Sequence, residues 1–241
     1  MEQQAGVTPH QNGSIIMQTN DEIMQTNDEI IQTNDGLVFQ NVKILHDNKP
    51  LMGMDAAIKP GEVLTLMGPS GSGKSTIISA IAGFLPAAFS CTGNILLNGN
   101  NIASLPPQQR KIGVLFQDTL LFPHFSVLQN ILFALPPGGS MTTRCDRALS
   151  LLDDISMVEF ADRDTDTLSG GQKSRVALVR VIASMPNALL LDEPFSKLDA
   201  NMRDSMRQLV FEEARRKQIP TLLVTHDPED AKAANGRILT L

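Results

Sequence analysis

The sequence predicts an α/β fold, a parallel sheet flanked by helices, and three observations predict it. The stretch Glu62-Val63-Leu64-Thr65-Leu66-Met67 reads as a buried strand that runs into the glycine-rich segment Gly68-Pro69-Ser70-Gly71-Ser72-Gly73-Lys74-Ser75-Thr76, and Ile77 to Ala82 behind it reads as a helix. Two further runs, Ala188 to Leu191 and Thr221 to Thr225, are short, apolar or β-branched throughout and separated by a helix, as strands buried on both faces are. The first of them delivers the carboxylates Asp192 and Glu193 to its carboxyl end, where doubly wound sheets bind their ligands.

The other elements follow in order along the chain. Residues 16 to 35 hold a tandem repeat: Ile16-Met17-Gln18-Thr19-Asn20-Asp21-Glu22, the same seven letters from Ile23 to Glu29, and a partial copy from Ile30 to Asp35. A seven-residue period invites a coiled coil, but the apolar residues are adjacent within each unit, and Thr, Asn and Asp are weak helix formers. Residues 1–36 are therefore expected to be a disordered polar leader, with a short helix formed on a partner as the alternative. From Leu37 the pattern changes to strands, Leu37 to Val42 and Ala56 to Ile58, with Lys59-Pro60-Gly61 as the turn into the strand before the glycine-rich segment. Thr92 to Gly99 reads as a strand ending in a turn, and Ile112 to Phe116 as a strand leading to Gln117. Val127 to Ala134 and Cys145 to Leu152 have helical apolar spacing on either side of a Pro-Pro-Gly-Gly break at 136–139, and Lys173 to Ser184 reads as a helix ahead of Ala188.

Composition narrows the class. The chain of 241 residues, 42% hydrophobic, suits one sizeable core. Its formal charge of −6 belongs to the leader, since no Lys or Arg precedes Lys43, and residues 37–241 balance at 20 basic and 20 acidic side chains. That balance argues against nucleic acid as a partner, which normally needs a clustered positive face. Cys91 and Cys145 have neither metal-ligand spacing nor a disulfide-rich pattern, so two free thiols in a reducing compartment are expected. No apolar run approaches the roughly 20 residues that cross a bilayer, and the N-terminus has no signal-peptide pattern, so membrane association is expected to come through a partner.

The residues from Gly68 to Ser75 fit G-x-x-x-x-G-K-[ST], the phosphate loop in which backbone N–H groups turn inward and the positive end of a helix faces the ligand. Lys74 supplies a point charge for the β- and γ-phosphates, and the Ser75 hydroxyl is placed to ligate Mg²⁺. By itself the loop identifies a P-loop NTPase. The carboxylate pair then divides the labour: Asp192 holds the Mg²⁺ shell through water, and Glu193 acts as the base that polarises the water attacking the γ-phosphate.

Leu168-Ser169-Gly170-Gly171-Gln172, Ala188 to Pro194, Ser196-Lys197-Leu198-Asp199 and Thr225-His226-Asp227 complete a set whose order and spacing resemble the ATP-binding cassette (ABC) ATPases over residues 37–241. The resemblance implies a RecA-like P-loop core, an N-terminal antiparallel β subdomain and a helical subdomain at about residues 118–168. It also implies that Gln117 touches Mg²⁺ and senses a membrane subunit, and that His226 reaches the γ-phosphate and orients the attacking water. Ser169, Gly170, Gly171 and Gln172 would serve the nucleotide of a second copy, so that two ATP molecules lie head to tail between two cassettes, with Asp199 coupling the sites. Family members stack an aromatic residue on adenine. The matching position here holds His46, and two readings of it stand, a weaker adenine platform or a surface-loop residue.

Phe116-Gln117-Asp118 followed by Leu120 to Asn130 resembles importers of iron, thiamine, sulfate and polyamines. Thr65 to Gly68, Phe89 to Gly93 and Phe133 to Pro136 resemble the YnjD-type importer ATPases. This implies an ATPase subunit, peripheral on the cytoplasmic face of the inner membrane, working with a separate permease and, through it, a periplasmic or extracellular substrate-binding protein. Phe122, Phe125 and Leu128 are candidates for docking the permease, or else helical-subdomain core. A cytosolic nucleotide-driven switch is the alternative. The chain runs 15 residues past His226, so no C-terminal regulatory domain is expected.

Overall fold

The structure, a computed structural model, describes residues 35–69 and 71–241, together with the backbone of Ile15 and Ile16. Two sheets organise it. The first has the order β1-β3-β2-β5-β6, built from β1 (Ile15–Ile16), β2 (Leu37–His46), β3 (Lys49–Ile58), β5 (Phe89–Leu97) and β6 (Asn100–Asn101). It is antiparallel except at its edge, where β1 runs parallel to β3 opposite Met52 and Gly53. Of the leader expected at residues 1–36, Ile15–Ile16 thus form an edge strand, and the tandem repeat beyond Ile16 lies outside the described residues up to Asp35.

Strands β2 and β3 run further than the apolar pattern suggested, to His46 and from Lys49. Their connection, Asp47-Asn48, takes positive φ at both residues (48° and 62°), the conformation a two-residue hairpin requires and one that Asp and Asn tolerate.

The second sheet is wholly parallel, in the order β10-β4-β9-β8-β7. Its strands are β4 (Val63–Met67), β7 (Ile112–Leu115), β8 (Ala188–Asp192), β9 (Thr221–Thr225) and β10 (Arg237–Thr240). Side chains on these strands alternate between two cores. Leu64, Leu66, Ala188, Leu190, Leu222 and Val224 pack with α1 (Lys74–Ala82) and the antiparallel sheet. Val63, Leu189, Leu191 and Leu223 face the opposite core. There they meet α4 (Gly170–Ala183), α5 (Ala200–Arg216) and residues of α2 (Val127–Ala134) and α3 (Met141–Asp153). A strand buried on both faces needs apolar residues at both parities, which is why these runs lack the polar alternation of a half-exposed strand. Each large aliphatic side chain so buried contributes about 1.5–3 kcal/mol relative to its exposed form.

Helix α2 and strand β9 have the bounds that the sequence suggested, while α1 begins three residues earlier, at Lys74. The short α6 (Pro228–Ala234) and β10 carry too few periodic residues to be read in advance. Between them the chain turns at Asn235, with φ 49°, and passes Gly236 against β4. A Cβ at Gly236 would lie 1.8 Å from the Val63 carbonyl oxygen, and backbone cannot yield as a side chain does. Gly236→Ala is accordingly expected to cost about 2 kcal/mol or more, read as a lower urea midpoint at unchanged slope.

Candidate nucleotide-binding and hydrolysis site

The parallel topology builds the site. In the order β4, β9, β8, β7, four neighbouring strands end on the same side of the sheet. They lead respectively into the glycine-rich loop, His226, Asp192-Glu193 and Phe116-Gln117. Residues up to 158 positions apart in sequence, Gly68 and His226, are thereby brought to one crevice at the carboxyl edge, the ligand position of this class of sheet.

Gly73 is the N-cap of α1, with φ 88°, and no side chain caps the helix. A Cβ there would sit 3.0 Å from the Met52 Cε, the end of a flexible side chain that can move, so it is the backbone angle that asks for glycine. Lys74 is buried, and its Nζ donates to the carbonyl oxygens of Gly68 and Pro69, each at 2.7 Å, which holds the ammonium inside the ring of its own loop. Thr76 N donates to Gly73 O at 2.9 Å and starts the helical ladder. The Ser72 hydroxyl is buried with no partner among the described residues. Gly71 also has positive φ and open space around it, while Ser70 lies outside the described residues. An uncapped helix start beside a buried ammonium and an unpaired hydroxyl is an arrangement that receives an anion.

At the end of β8, Asp192 is 4% exposed. Burial pushes its carboxyl above the ordinary carboxylate value and neighbouring Glu193 adds to the push, while a hydrogen bond with Ser75 and the Lys74 charge oppose it. Hydroxyl, carboxylate and the side-chain amide of Gln117 are hard oxygen donors suited to Mg²⁺. A buried carboxylate with its charge penalised favours a cation beside it. Among the described residues no cluster of three or more His, Cys, Asp or Glu could hold a metal unaided. The donor set is of the kind that phosphate oxygens and water complete.

Glu193 has φ 48°, in the left-handed region that an unbranched acid enters only under constraint. Its amide donates to Val224 O at 2.9 Å, and its carbonyl accepts from the Ser196 hydroxyl at 2.9 Å. The backbone is therefore fixed on both sides of the bend, and the carboxylate, 14% exposed, turns across β9. There Oε1 lies 2.9 Å from His226 Nδ1, and Oε2 accepts from Gln117 Nε2 at 3.4 Å. The structure thus gathers Lys74, Ser75, Gln117, Asp192, Glu193 and His226.

Ser169, Gly170, Gly171 and Gln172 are engaged differently. Ser169 is the N-cap of α4, its hydroxyl accepting from Gln172 N at 3.3 Å while Gln172 Oε1 accepts from Ser169 N at 2.9 Å, a reciprocal capping box. No hydrogen bond among the described residues joins them to the phosphate loop of the same chain. A Cβ on Gly170 would meet nothing within 4 Å, so packing within the chain does not require glycine there.

His46 stacks on Phe89, ring centroids 4.6 Å apart and planes at 27°. The two are register partners on β2 and β5, and Leu51 and Met52 of β3, the strand that pairs with β2, lie against Gly73 of the loop. Sequence reading singled out His46 without Phe89, because a stack across 43 residues needs the strand register. It also missed Arg203, Arg207 and Asp230, whose bonds to the His226 segment depend on the docking of α5.

Comparison with known proteins agrees with this geometry. The ABC transporter family matches residues 51–196. The chain is 47% identical over 189 residues to the Escherichia coli K12 protein called uncharacterized ABC transporter ATP-binding protein YnjD, covering 78% of this chain and 87% of that one. It is 42% identical over 196 residues to a Pseudomonas aeruginosa spermidine/putrescine import ATP-binding protein, PotA 1, and 38% over 199 residues to a Photobacterium profundum Fe(3+) ions import ATP-binding protein, FbpC. Those alignments cover 79% and 81% of this chain but 52% and 55% of the relatives, so the chain spans about half the length of these import proteins. Among solved structures, the dimeric post-hydrolysis state of the cassette MJ0796 bound to ADP and Pi matches with a TM-score of 0.74 at 28% identity, over 85% of this chain and 94% of that one. With the phosphate loop, the Asp192-Glu193 strand end and His226 at one crevice, this chain belongs to the ABC transporter family and is its ATP-binding, ATP-hydrolysing cassette.

Proposed function

We propose that this cassette is the motor of an importer and that two copies close head to tail on ATP, Glu193 serving as the base in hydrolysis. The observation that carries the catalytic assignment is the constrained Glu193, aimed by its backbone at His226 and reached by Gln117. Lys74 and the α1 amides bind the phosphates. Glu193 accepts a proton from the water as the water oxygen bonds to the γ-phosphorus and the bond from that phosphorus to the β–γ bridging oxygen breaks, ADP leaving with the electron pair and inorganic phosphate forming. His226 orients that water. Ser75 and Asp192, with Gln117, would hold Mg²⁺, which when bound offsets negative charge on the β- and γ-phosphate oxygens. Ser169 and the Gly170 and Gly171 amides, which make no hydrogen bond to their own phosphate loop among the described residues, would complete the partner's site, in keeping with the dimeric state of the MJ0796 cassette. Loss of the γ-phosphate would then release the two halves and turn chemistry into motion.

His46 is read as the adenine platform, with Phe89 behind it. His46→Ala is expected to weaken ATP binding by roughly three- to tenfold, the range of an aromatic stack, as measured by calorimetry; unchanged affinity would make His46 a surface-loop residue.

Import is supported by the naming of PotA and FbpC relatives as import ATP-binding proteins. No helix among the described residues is long and apolar enough to cross a membrane. In this reading, following the import relatives, the cassette works with a separate permease on the cytoplasmic face of the inner membrane, with a substrate-binding protein beyond it. The surface read as the permease dock follows Gln117 in the chain. Phe122, Phe125 and Phe133 form an aromatic cluster with centroids 4.8 to 5.9 Å apart, Phe133 being 65% exposed, and Asn130 and Arg180 clamp the backbone beneath it. Leu128, the third docking candidate, packs partly into the core instead. The test is copurification of the tagged Glu193→Gln chain with ATP in mild detergent. Recovery of a multi-span permease supports the reading; ribosomes, DNA-associated proteins or a soluble homodimer alone would replace transport with a cytosolic switch.

A further inference from the structure

The His226 side chain is 58% exposed, so packing does not orient its ring. Its chain neighbours are fixed instead. The Thr225 hydroxyl donates to Asp230 Oδ2 at 2.7 Å and accepts from Asp227 N at 3.0 Å. Asp227 Oδ2 accepts from Arg203 Nη1 at 3.3 Å and from Arg207 Nη2 at 3.0 Å, and Asp230 Oδ1 accepts from Arg207 Nε at 2.8 Å. Both arginines stand on one face of α5, four residues apart.

They do different things. Arg207 is buried and ends in a carboxylate cluster, Asp204, Asp227 and Asp230, as a structural pair does. Arg203 also reaches the other side of the reaction centre, where its Nη2 donates to Leu198 O at 3.0 Å in the turn that follows Glu193 and ends at Asp199, the N-cap of α5. Its Nε is buried without a partner among the described residues. The side chain lines a cavity of about 100 Å³ together with Glu193, Ser196, Thr225 and His226. One guanidinium thus ties the segment behind the base to the segment carrying the imidazole, and the space between is large enough for a few water molecules, one of which can satisfy the unpaired N–H.

We infer that Arg203 is a positioning residue for hydrolysis, holding the His226 ring against the Glu193 carboxylate through Asp227 and the Leu198 carbonyl. The inference rests on the roles proposed above for Glu193 and His226. It makes the alignment of that pair depend on the seating of the N-terminal turn of α5, and hence on Asp199 at its cap. Nucleotide binding, which rests on Lys74 and the α1 amides, does not depend on it.

The experiment is steady-state ATPase kinetics with calorimetric ATP affinity on Arg203→Met, Arg203→Lys, His226→Ala and the double variant His226→Ala/Arg203→Met. Arg203→Met should lower kcat by about tenfold or more, with KM and ATP affinity within about twofold. Arg203→Lys should recover part of the loss, because an ammonium reaches Asp227 but lacks the planar fork that also reaches Leu198. In the His226→Ala background the Arg203 change should cost less than about twofold further, since a residue acting through another has nothing left to position. Unchanged kcat in Arg203→Met, or losses that multiply in the double variant, would overturn the inference while leaving His226 in place. If His226→Ala itself turns over normally, the reading of His226 fails first, and the positioning role with it. Should Arg203→Met not fold, Asp227→Asn decides, because it keeps the shape and the cap of α6 yet weakens the same link. It should give the same kcat-specific, non-multiplying loss, and wild-type kcat in that variant overturns the inference.

Discussion

Glu193→Gln is expected to lower ATP turnover by about 10²–10⁴-fold, the range that a positioned general base contributes, while ATP affinity stays within about threefold of wild type. The substitution keeps the volume and leaves an oxygen to face His226, whose Nδ1 is 2.9 Å from Oε1. It removes the negative charge and, with it, the capacity to take a proton from water. The backbone is not expected to move, because its left-handed angle is held by the bond the Glu193 amide donates to Val224 and the bond its carbonyl accepts from Ser196, neither of which uses the Glu193 side chain. Charge relief works in the same direction as retained affinity: Glu193 is among the groups pushing the Asp192 carboxyl upward, so the amide leaves Asp192 easier to ionise beside a cation. With hydrolysis blocked and binding intact, ATP should drive the variant toward a dimer, which sedimentation with and without nucleotide reads directly. Wild-type turnover in this variant would sink the assignment of the base.

That carboxylate pair was legible in the sequence because strand, loop and acid are contiguous there: Leu189 to Leu191 announce a buried strand, and its next residues stand at the ligand edge. The phosphate loop was legible for the same reason. The rest depends on pairing across distance. Strand register decides that Phe89 backs His46, and nothing in either residue's neighbourhood announces it. Likewise the four-residue spacing of Arg203 and Arg207 looks like an ordinary solvated helix face until α5 lies against Asp227 and Asp230. Ser169 and Gln172 illustrate a different limit. Their capping box gives both side chains a sufficient structural reason to be where they are, so a single chain accounts for them without a second subunit. Gly170, open on its outer side, is the residue that packing leaves unexplained and a dimer would explain.

Lys74→Ala should fail at an earlier step than Glu193→Gln, with ATP affinity itself falling by about 100-fold or more. Hydrogen bonds involving a charged partner are worth about 1.5–3 kcal/mol each, and the ammonium is read as meeting two phosphates. The geometry adds a second cost. In the native loop Nζ sits 2.7 Å from both the Gly68 and Pro69 carbonyl oxygens. Without it those two carbonyl dipoles point unscreened into a space that must accept phosphate oxygens. Lys74→Arg should not restore binding, because a planar guanidinium is too broad for a seat shaped by two carbonyls of one tight turn. The fold is expected to survive, since alanine is the best helix former and Lys74 opens α1 instead of bridging it to another element. Calorimetry with ATP, paired with a thermal midpoint, separates the outcomes. Undiminished affinity in a folded Lys74→Ala chain would mean that the α1 amides hold the phosphates alone, and a lost midpoint would mean that the lysine holds the loop together before any nucleotide arrives.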